Sequence, residues 1–330
     1  MSARNFGGSL CRVLSGATLL FTMLAPWAVA QTYPSQPVKV VVTTAAGGGV
    51  DALARMTTQE LSTLLKQPFI VENRADSAGI IGAQYVAGQK PDGYTLMFNA
   101  STLVITPFLV PNMPFDSEKD FTPITEVAKS PFVLAVHPSV AANTLQELIQ
   151  YGKKNPGALS FGVAALGTPD HIAAELFSQQ AGIETLVVPF KGGGPALTAI
   201  LSGTVQAVLF PPILISSQIK AGKLKALAIT SAEPSDAMPG VPTASASGMP
   251  GYEVASWYGF WGPKATDPAA VQTIYATTAK ILGTREFREK LVGRGLIGVG
   301  STPAEFAAFN KKEMARYGTL IKERNLVPKN

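Results

Sequence analysis

The sequence predicts an α/β fold in which sheets are covered on both faces by helices. Short β-branched runs alternate with stretches of helical length through most of the chain. Glycine-rich turns stand where several of those strands hand over to helices. About 300 residues follow position 30, roughly two domains by ordinary domain size. Strands alternating with helices imply parallel sheets. No Gly/Ser linker divides the chain, so a second domain is expected to be inserted into the first.

The elements follow in order. Residues 38–43 are a β-branched strand, followed by a Gly loop and an amphipathic stretch carrying Leu53, Met56, Leu61, Leu64 and Leu65. Residues 69–71 and 94–98 are the next strands, the latter launched by the turn Pro91-Asp92-Gly93. Strands are expected at 132–136, 159–162, 186–188, 205–210 and 226–230. Helices are expected at 145–151, 171–179 and 195–201, the last with Pro195 in its first turn. The final third is helical, at 268–282, 285–292 and 303–323. The Pro-, Ser-, Gly- and Ala-rich stretch 232–249 is expected to be an excursion near a hinge.

Residues 1–30 have the form of an export signal. Arg4 and Arg12 are basic, no acidic residue precedes Asp51, an apolar stretch spans 13–29, and Ala28-Val29-Ala30 is a small-x-small cleavage pattern. Ser15, Gly16, Thr18, Thr22 and Pro26 interrupt that stretch, which argues against a membrane anchor. The single cysteine, Cys11, lies inside it, so the exported chain is expected to rely on its core without disulfides. The formal net charge of +5 falls to +3 once Arg4 and Arg12 are removed. Lysines and arginines near the C-terminus alternate with Glu313 and Glu323 and form no nucleic-acid stripe.

In open α/β sheets, ligands sit beyond the carboxyl ends of strands, where helix N-termini direct free N–H groups outward. Five loops offer such places: 44–51, 73–79, 99–102, 163–171 and 190–195. Gly47-x-Gly49-x-x-Ala52 also fits a dinucleotide fingerprint, with Glu72 twenty residues past Ala52. Export away from nicotinamide cofactors opposes that reading. No Gly-Lys-Ser/Thr follows Gly49, no Gly-x-Ser-x-Gly occurs, and His137 and His171 are too few and too far apart for a metal site.

Several motifs together identify a family. They include Tyr33-Pro34, Gly47-Gly48 with Asp51 and Arg55, Val71-Glu72-Asn73-Arg74, and Pro91-Asp92-Gly93-Tyr94-Thr95-Leu96. They continue with Asp120-Phe121-Thr122-Pro123-Ile124, Gly167-Thr168 with His171, Val188-Pro189-Phe190-Lys191-Gly192 and Trp257-Tyr258-Gly259. The chain resembles the extracytoplasmic solute receptors of tripartite tricarboxylate transporters, the Bug or TctC-like receptors. The resemblance implies a two-lobed type II periplasmic-binding-protein fold, each lobe a mixed sheet covered by helices, with the ligand in the cleft. It places one lobe at 31–131 plus 255–330 and the other at 132–254, with crossings near 130–136 and 253–259.

It further implies a periplasmic, non-enzymatic receptor without cofactor or metal. Such a receptor captures a small carboxylate and delivers it to the transporter's membrane subunits. Carried over residue by residue, the ligand positions are Ala46, Gly47, Gly48, Gly49, Val50 and Asp51, then Ser77, Ala78 and Gly79, then Asn99, Ser101 and Thr102. The second lobe supplies Ala165, Leu166, Gly167, Thr168 and His171, with Phe190, Lys191 and Gly192.

Relatives usually read Gly-Ala-Gly-Gly-Asn where this chain has Asp76-Ser77-Ala78-Gly79-Ile80, a paired Ser at Val163-Ala164, and Glu near Ala246. Asp76 is therefore a further candidate. It either accepts from a ligand amine, amide or hydroxyl opposite the carboxylate, or turns outward to Arg74 and solvent. An aromatic acid is also among the expected ligands. A sensor reporting to a signalling partner, and a dinucleotide-dependent oxidoreductase, remain the alternative functions.

Overall fold

The computed structural model describes residues 33–44, 46–47, 49–76, 79–190 and 192–323; the expected export signal lies outside them. Among the described residues the strands are β1 (Val38–Val42), β2 (Phe69–Asn73), β3 (Thr95–Ala100), β4 (Phe121–Pro131), β5 (Val133–Val136), β6 (Leu159–Val163), β7 (Thr185–Pro189), β8 (Ala207–Phe210), β9 (Lys225–Ile229), β10 (Ala255–Pro263) and β11 (Ile297–Gly298). The helices are α1 (Gly49–Leu65), α2 (Ile80–Ala87), α3 (Thr102–Ile105), α4 (Leu145–Lys154), α5 (Pro169–Ala181), α6 (Gly193–Leu201), α7 (Pro212–Lys220), α8 (Pro268–Gly283), α9 (Arg285–Val292) and α10 (Pro303–Glu323).

The strands form two sheets. One has the order β11-β4-β10-β3-β1-β2, the other β7-β6-β8-β5-β9. Parallel pairing of β1 with β2 and β3, and of β6 with β7 and β8, follows from helical crossovers between them. The sheets are not wholly parallel, which corrects the reading from alternation alone. β10 runs antiparallel to β3 and β4, and β5 antiparallel to β8 and β9. The reason is connectivity. β4 leads out of the first sheet at Pro131, β5 opens the second at Val133, and the chain returns through β10 from Ala255. The outgoing and returning strands lie side by side, Ala255 opposite Pro131 and Pro263 opposite Phe121.

Strand parity then sorts the side chains into layers. In the first sheet Val38, Val40, Val42, Leu96, Phe98 and Phe260 face α1, α8 and α9 through Leu53, Leu61, Ile274, Leu282 and Leu291. Val41, Met97, Trp257 and Trp261 face the other way, against Phe306, Tyr317 and Leu320 of α10 and Ala83 of α2. β1 is buried on both faces, which is why it reads as an unbroken valine run. In the second sheet Leu134, Phe161 and Leu209 pack with Leu148 of α4 and Phe177 of α5. Val133, Val208 and Phe210 pack with Ile200 of α6 and Ile215 of α7.

Helix α5 ties the two bodies together. Ala173, Ala174 and Phe177 belong to the second sheet's core, while Ile172 sits in the first sheet's core with Trp257 and Phe306. The 232–249 stretch is irregular but runs along an edge strand. Ile229 and Ala244 N–H groups donate to Pro242 and Ile229 carbonyls at 2.8 Å, and Ala244 and Met249 are buried. The sequence expectation of a hinge excursion is refined accordingly to an edge cover for β9.

Gly259 is where packing leaves no room. A Cβ there would lie 2.5 Å from Phe306 Cζ and 2.7 Å from the Thr125 carbonyl oxygen. Gly259→Ala is expected to destabilise the fold by about 1–3 kcal/mol in urea unfolding, the cost of overpacking. Gly283, in helical conformation with open space around it, serves as comparison. Gly283→Ala should be neutral or stabilising by up to about 1 kcal/mol.

Candidate functional site

The loops that follow the strands of both sheets are held by side chains that accept from the backbone. In the loop after β1, Gly47 adopts φ +82°, and its N–H donates to Asp51 Oδ2 at 2.9 Å. Arg55 Nε reaches both Asp51 oxygens at 3.0 Å, and Asn73 Nδ2 donates to Asp51 Oδ1 and to the Thr44 carbonyl. Burial alone would raise the Asp51 carboxyl, but the hydrogen bonds from Arg55, Gly47 and Asn73 outweigh it and hold it below the usual carboxylate value. With its oxygens so engaged and 3% of the residue exposed, Asp51 shapes the loop from within.

The loop after β6 repeats the device. Gly167 also has φ +82°, and its N–H donates to Nδ1 of His171, again four residues on, at 2.9 Å. Asp170 Oδ2 accepts from Ala164 N at 2.6 Å. An Nδ1 that accepts must be unprotonated, so the ring is neutral with its proton on Nε2. Burial pushes the imidazole below its ordinary value of 6.5, with Glu175 Oε1, 3.9 Å from Nε2, acting the other way. In the loop after β3, Asn99 Oδ1 accepts from Thr43 Oγ1, the Ala100 N–H and Thr102 Oγ1.

Between the two sheets lies a cavity of about 510 Å³, within the range of small-molecule sites. The first sheet contributes Thr44, Gly47, Gly49, Val50 and Thr102. The second contributes Pro169 at the start of α5 and Pro211, Ile213 and Leu214 at the start of α7. Ser130, Ser256 and Tyr258 come from the paired strands β4 and β10, and Arg294 and Leu296 from the turn before β11. The starts of α1, α5 and α7 carry the positive ends of the helix dipoles, although in α5 the Asp170 carboxylate already accepts from the first-turn N–H groups of Asp170 and His171.

The predicted positions divide. Gly47, Gly49, Val50 and Thr102 line this cavity. Ala46 and Leu166 are exposed, while Ala165, Gly167 and Thr168 form the loop leading into Pro169, and His171 lies in the first turn of α5, where it accepts from Gly167 N. Asn99 and Ser101 are buried beneath Thr102. Gly79 packs with φ +73° over Thr43, and Asp76 Oδ1 accepts from the Ile81 N–H at the start of α2. Phe190 packs toward the second core, and Gly192 N donates to the Ala164 carbonyl at 2.8 Å. Gly48, Ser77, Ala78 and Lys191 lie outside the described residues. Ser130, Ser256, Tyr258, Ile213, Leu214 and Arg294 were not legible as cavity residues. Only Phe210-Pro211-Pro212, a strand running into a helix-starting proline, carried a usable signal for α7.

The dinucleotide reading fails on geometry. Glu72, which a dinucleotide ribose would need, is bound by Lys39 Nζ at 2.9 Å and by Arg74. The Lys39 hydrogen bond holds its carboxyl low against the effect of burial, with Arg74 adding to it. Behind the paired strands a smaller cavity of about 160 Å³ carries Glu126 and Glu313. Burial drives Glu126 up to about 7, Lys129 opposes this and Glu313 adds to it. Its lining mixes Glu126, Glu253 and Glu313 with Lys129, Lys312 and Arg316, so it presents no single sign of charge.

The sequence profile described as "Tripartite tricarboxylate transporter family receptor" matches residues 53–326. The chain belongs to this receptor family. Bordetella pertussis protein BugT is 32% identical over 296 residues, covering 89% of this chain and 91% of BugT. The structure of R. palustris Rpa4515 with adipate superposes with a TM-score of 0.78 at 32% identity, covering 88% of the receptor and 97% of that chain. MatC of Rhodopseudomonas palustris with bound malate gives 0.74 at 29% identity, covering 88% and 100%. The receptor is thus a solute-binding protein of a transport family and not an enzyme. No helix among its described residues is long and apolar enough to cross a membrane.

The His171 clasp has a pH signature. Its pKa is lower folded than unfolded, so on acidification the unfolded chain takes the proton first. Its contribution is complete above about pH 6.5 and is lost as pH falls toward the folded value. Gln at this position can still accept from Gly167 without titrating. Urea unfolding at about pH 7.5 and about pH 5.5 should show a smaller acid-induced loss in His171→Gln than in wild type.

Proposed function

We propose that the receptor captures a small carboxylate in the cavity between its sheets and delivers it to the membrane subunits of a tripartite tricarboxylate-type transporter. The observation that carries this is the lining itself. One cavity is walled by loops and helix starts from both sheets, so a ligand filling it touches both bodies at once. We take residues 31–131 with 255–330 as one lobe and 132–254 as the other. The carboxylate would meet first-turn amides at Gly49 and Val50 and the hydroxyls of Thr44 and Thr102. Hydrogen bonds from amides to a charged oxygen are the strong kind. The adipate and malate held by two related structures support a carboxylate.

Gly49 offers a clean test, since nothing lies within 4 Å of a Cβ added there and its φ is not left-handed. Gly49→Leu should fold as wild type does but project into the cavity. Calorimetry over a panel of mono- and dicarboxylates should find a ligand for the wild type. That ligand should stabilise by about 2.7 kcal/mol at a hundredfold over Kd, and Gly49→Leu should bind it about tenfold or more weakly with unchanged ligand-free melting. Unchanged affinity would remove this loop from the site.

Export completes the reading. We infer removal of residues 1–30 by signal peptidase and action in the periplasm, from Arg4, Arg12, the apolar stretch and Ala28-Val29-Ala30. N-terminal sequencing of the exported protein should begin at Gln31, and a soluble periplasmic form that retains Met1 would overturn this.

A further inference from the structure

The cavity is not a polar cup. Ile213, at the start of α7, has 61% of its surface exposed, although large aliphatic side chains are ordinarily inside. Leu214, Val50 and Leu296 line the same space. A short hydroxy acid would leave most of this wall in water, whereas an apolar ligand body would cover it with a gain proportional to the area buried.

At the edge of that wall stands Arg294. Its placement is enforced. Gly295 has φ +68°, and a Cβ on it would lie 2.8 Å from Pro212 Cβ and 3.4 Å from the Ile213 backbone nitrogen. The Arg294-Gly295 turn is therefore pressed against the start of α7. From the other side Ser130 Oγ donates to the Gly295 carbonyl at 3.2 Å. This fixes Arg294 beside Ile213 in the cavity lining. The Arg294 side chain spends one donor, Nη1 to the Lys290 carbonyl at 3.1 Å. Among the described residues no carboxylate forms an ion pair with it. Arg55, Arg74, Arg285 and Arg316 are paired with Asp51, Glu72, Glu289 and Glu313, and Arg288, like Arg294 without an ion pair, donates to the Gly283 carbonyl away from this cavity.

We propose that Arg294 is a specificity-determining residue. It receives the second anionic group of a ligand whose apolar body lies against Ile213 and Leu214 and whose first carboxylate occupies the Gly49 loop. The preferred ligand class is then a dianion with an apolar spacer, in preference to a monoacid of the same body or a short hydroxylated diacid. This rests on the carboxylate reading above. A planar guanidinium with free donors takes a carboxylate in two parallel hydrogen bonds, a geometry that a lysine ammonium cannot reproduce.

The test is calorimetric titration of the exported protein with adipate, hexanoate and malate, using wild type, Arg294→Gln, Arg294→Lys and Ile213→Ser. Wild type should bind adipate about tenfold or more tightly than hexanoate or malate. Arg294→Gln should weaken adipate about tenfold and leave hexanoate within about twofold. Arg294→Lys should weaken adipate nearly as much, because the contact and not the charge alone is lost. Ile213→Ser should weaken adipate and hexanoate together while leaving malate unchanged. Malate binding as tightly as adipate, or equal losses for adipate and hexanoate in Arg294→Gln, would overturn the proposal while the receptor reading stands. Wild-type affinity for adipate in Arg294→Lys would reduce Arg294 to long-range attraction and also overturn it. Failure of all three acids to bind wild type would sink the inference together with the carboxylate reading.

Discussion

Everything in this molecule depends on one antiparallel pairing, that of β4 with β10. The chain leaves its first sheet along β4 and returns along β10, and the two are hydrogen-bonded to each other over most of their length. Because both crossings run side by side, the second sheet is an insertion whose two chain connections lie at one place. The cavity opens directly beside that anchor, with Ser130, Ser256 and Tyr258 supplied by the crossing strands themselves. Trp257 and Trp261 on β10 alternate with Phe260 across the sheet, so the same strand joins both cores of the first body.

A second regularity lies in the loops. Each body places a glycine with φ +82° four residues before a buried acceptor, Asp51 in one and His171 in the other. The acceptors are chemically unlike, one an anion held ionised by Arg55 and Asn73, the other an imidazole held neutral by burial. Both do the same mechanical work. They fix the path of a loop beside the cavity, and a loop ordered in advance would lose less entropy on binding a ligand.

How much of this could be read from the residues follows from where each signal resides. β1, β3, β6 and the helices α4, α5, α8, α9 and α10 announce themselves because their apolar positions are local and periodic. β4 does not, because Pro123, Glu126 and Lys129 break its alternation, and its pairing with β10 was decided by distant sequence. α7 hides behind Pro211-Pro212 and its short length. The Gly47 loop was legible as a motif, and four of the expected ligand positions do line the cavity. Ile213 and Arg294 were not, since nothing near either residue in the chain mentions the other. Only the packing of Gly295 on Pro212 brings them together.

Helix α5 has a mechanical consequence. It seats Ile172 in the core of one body and Phe177 in the core of the other, while Pro169 at its start reaches the cavity lining. Prising the bodies apart along α5 would expose core residues to water. Parting them at Gly295 and Pro212 breaks only a small surface contact. A swing that spared the cores would keep α5 seated and part the bodies at the contact of Gly295 with Pro212, beside Arg294.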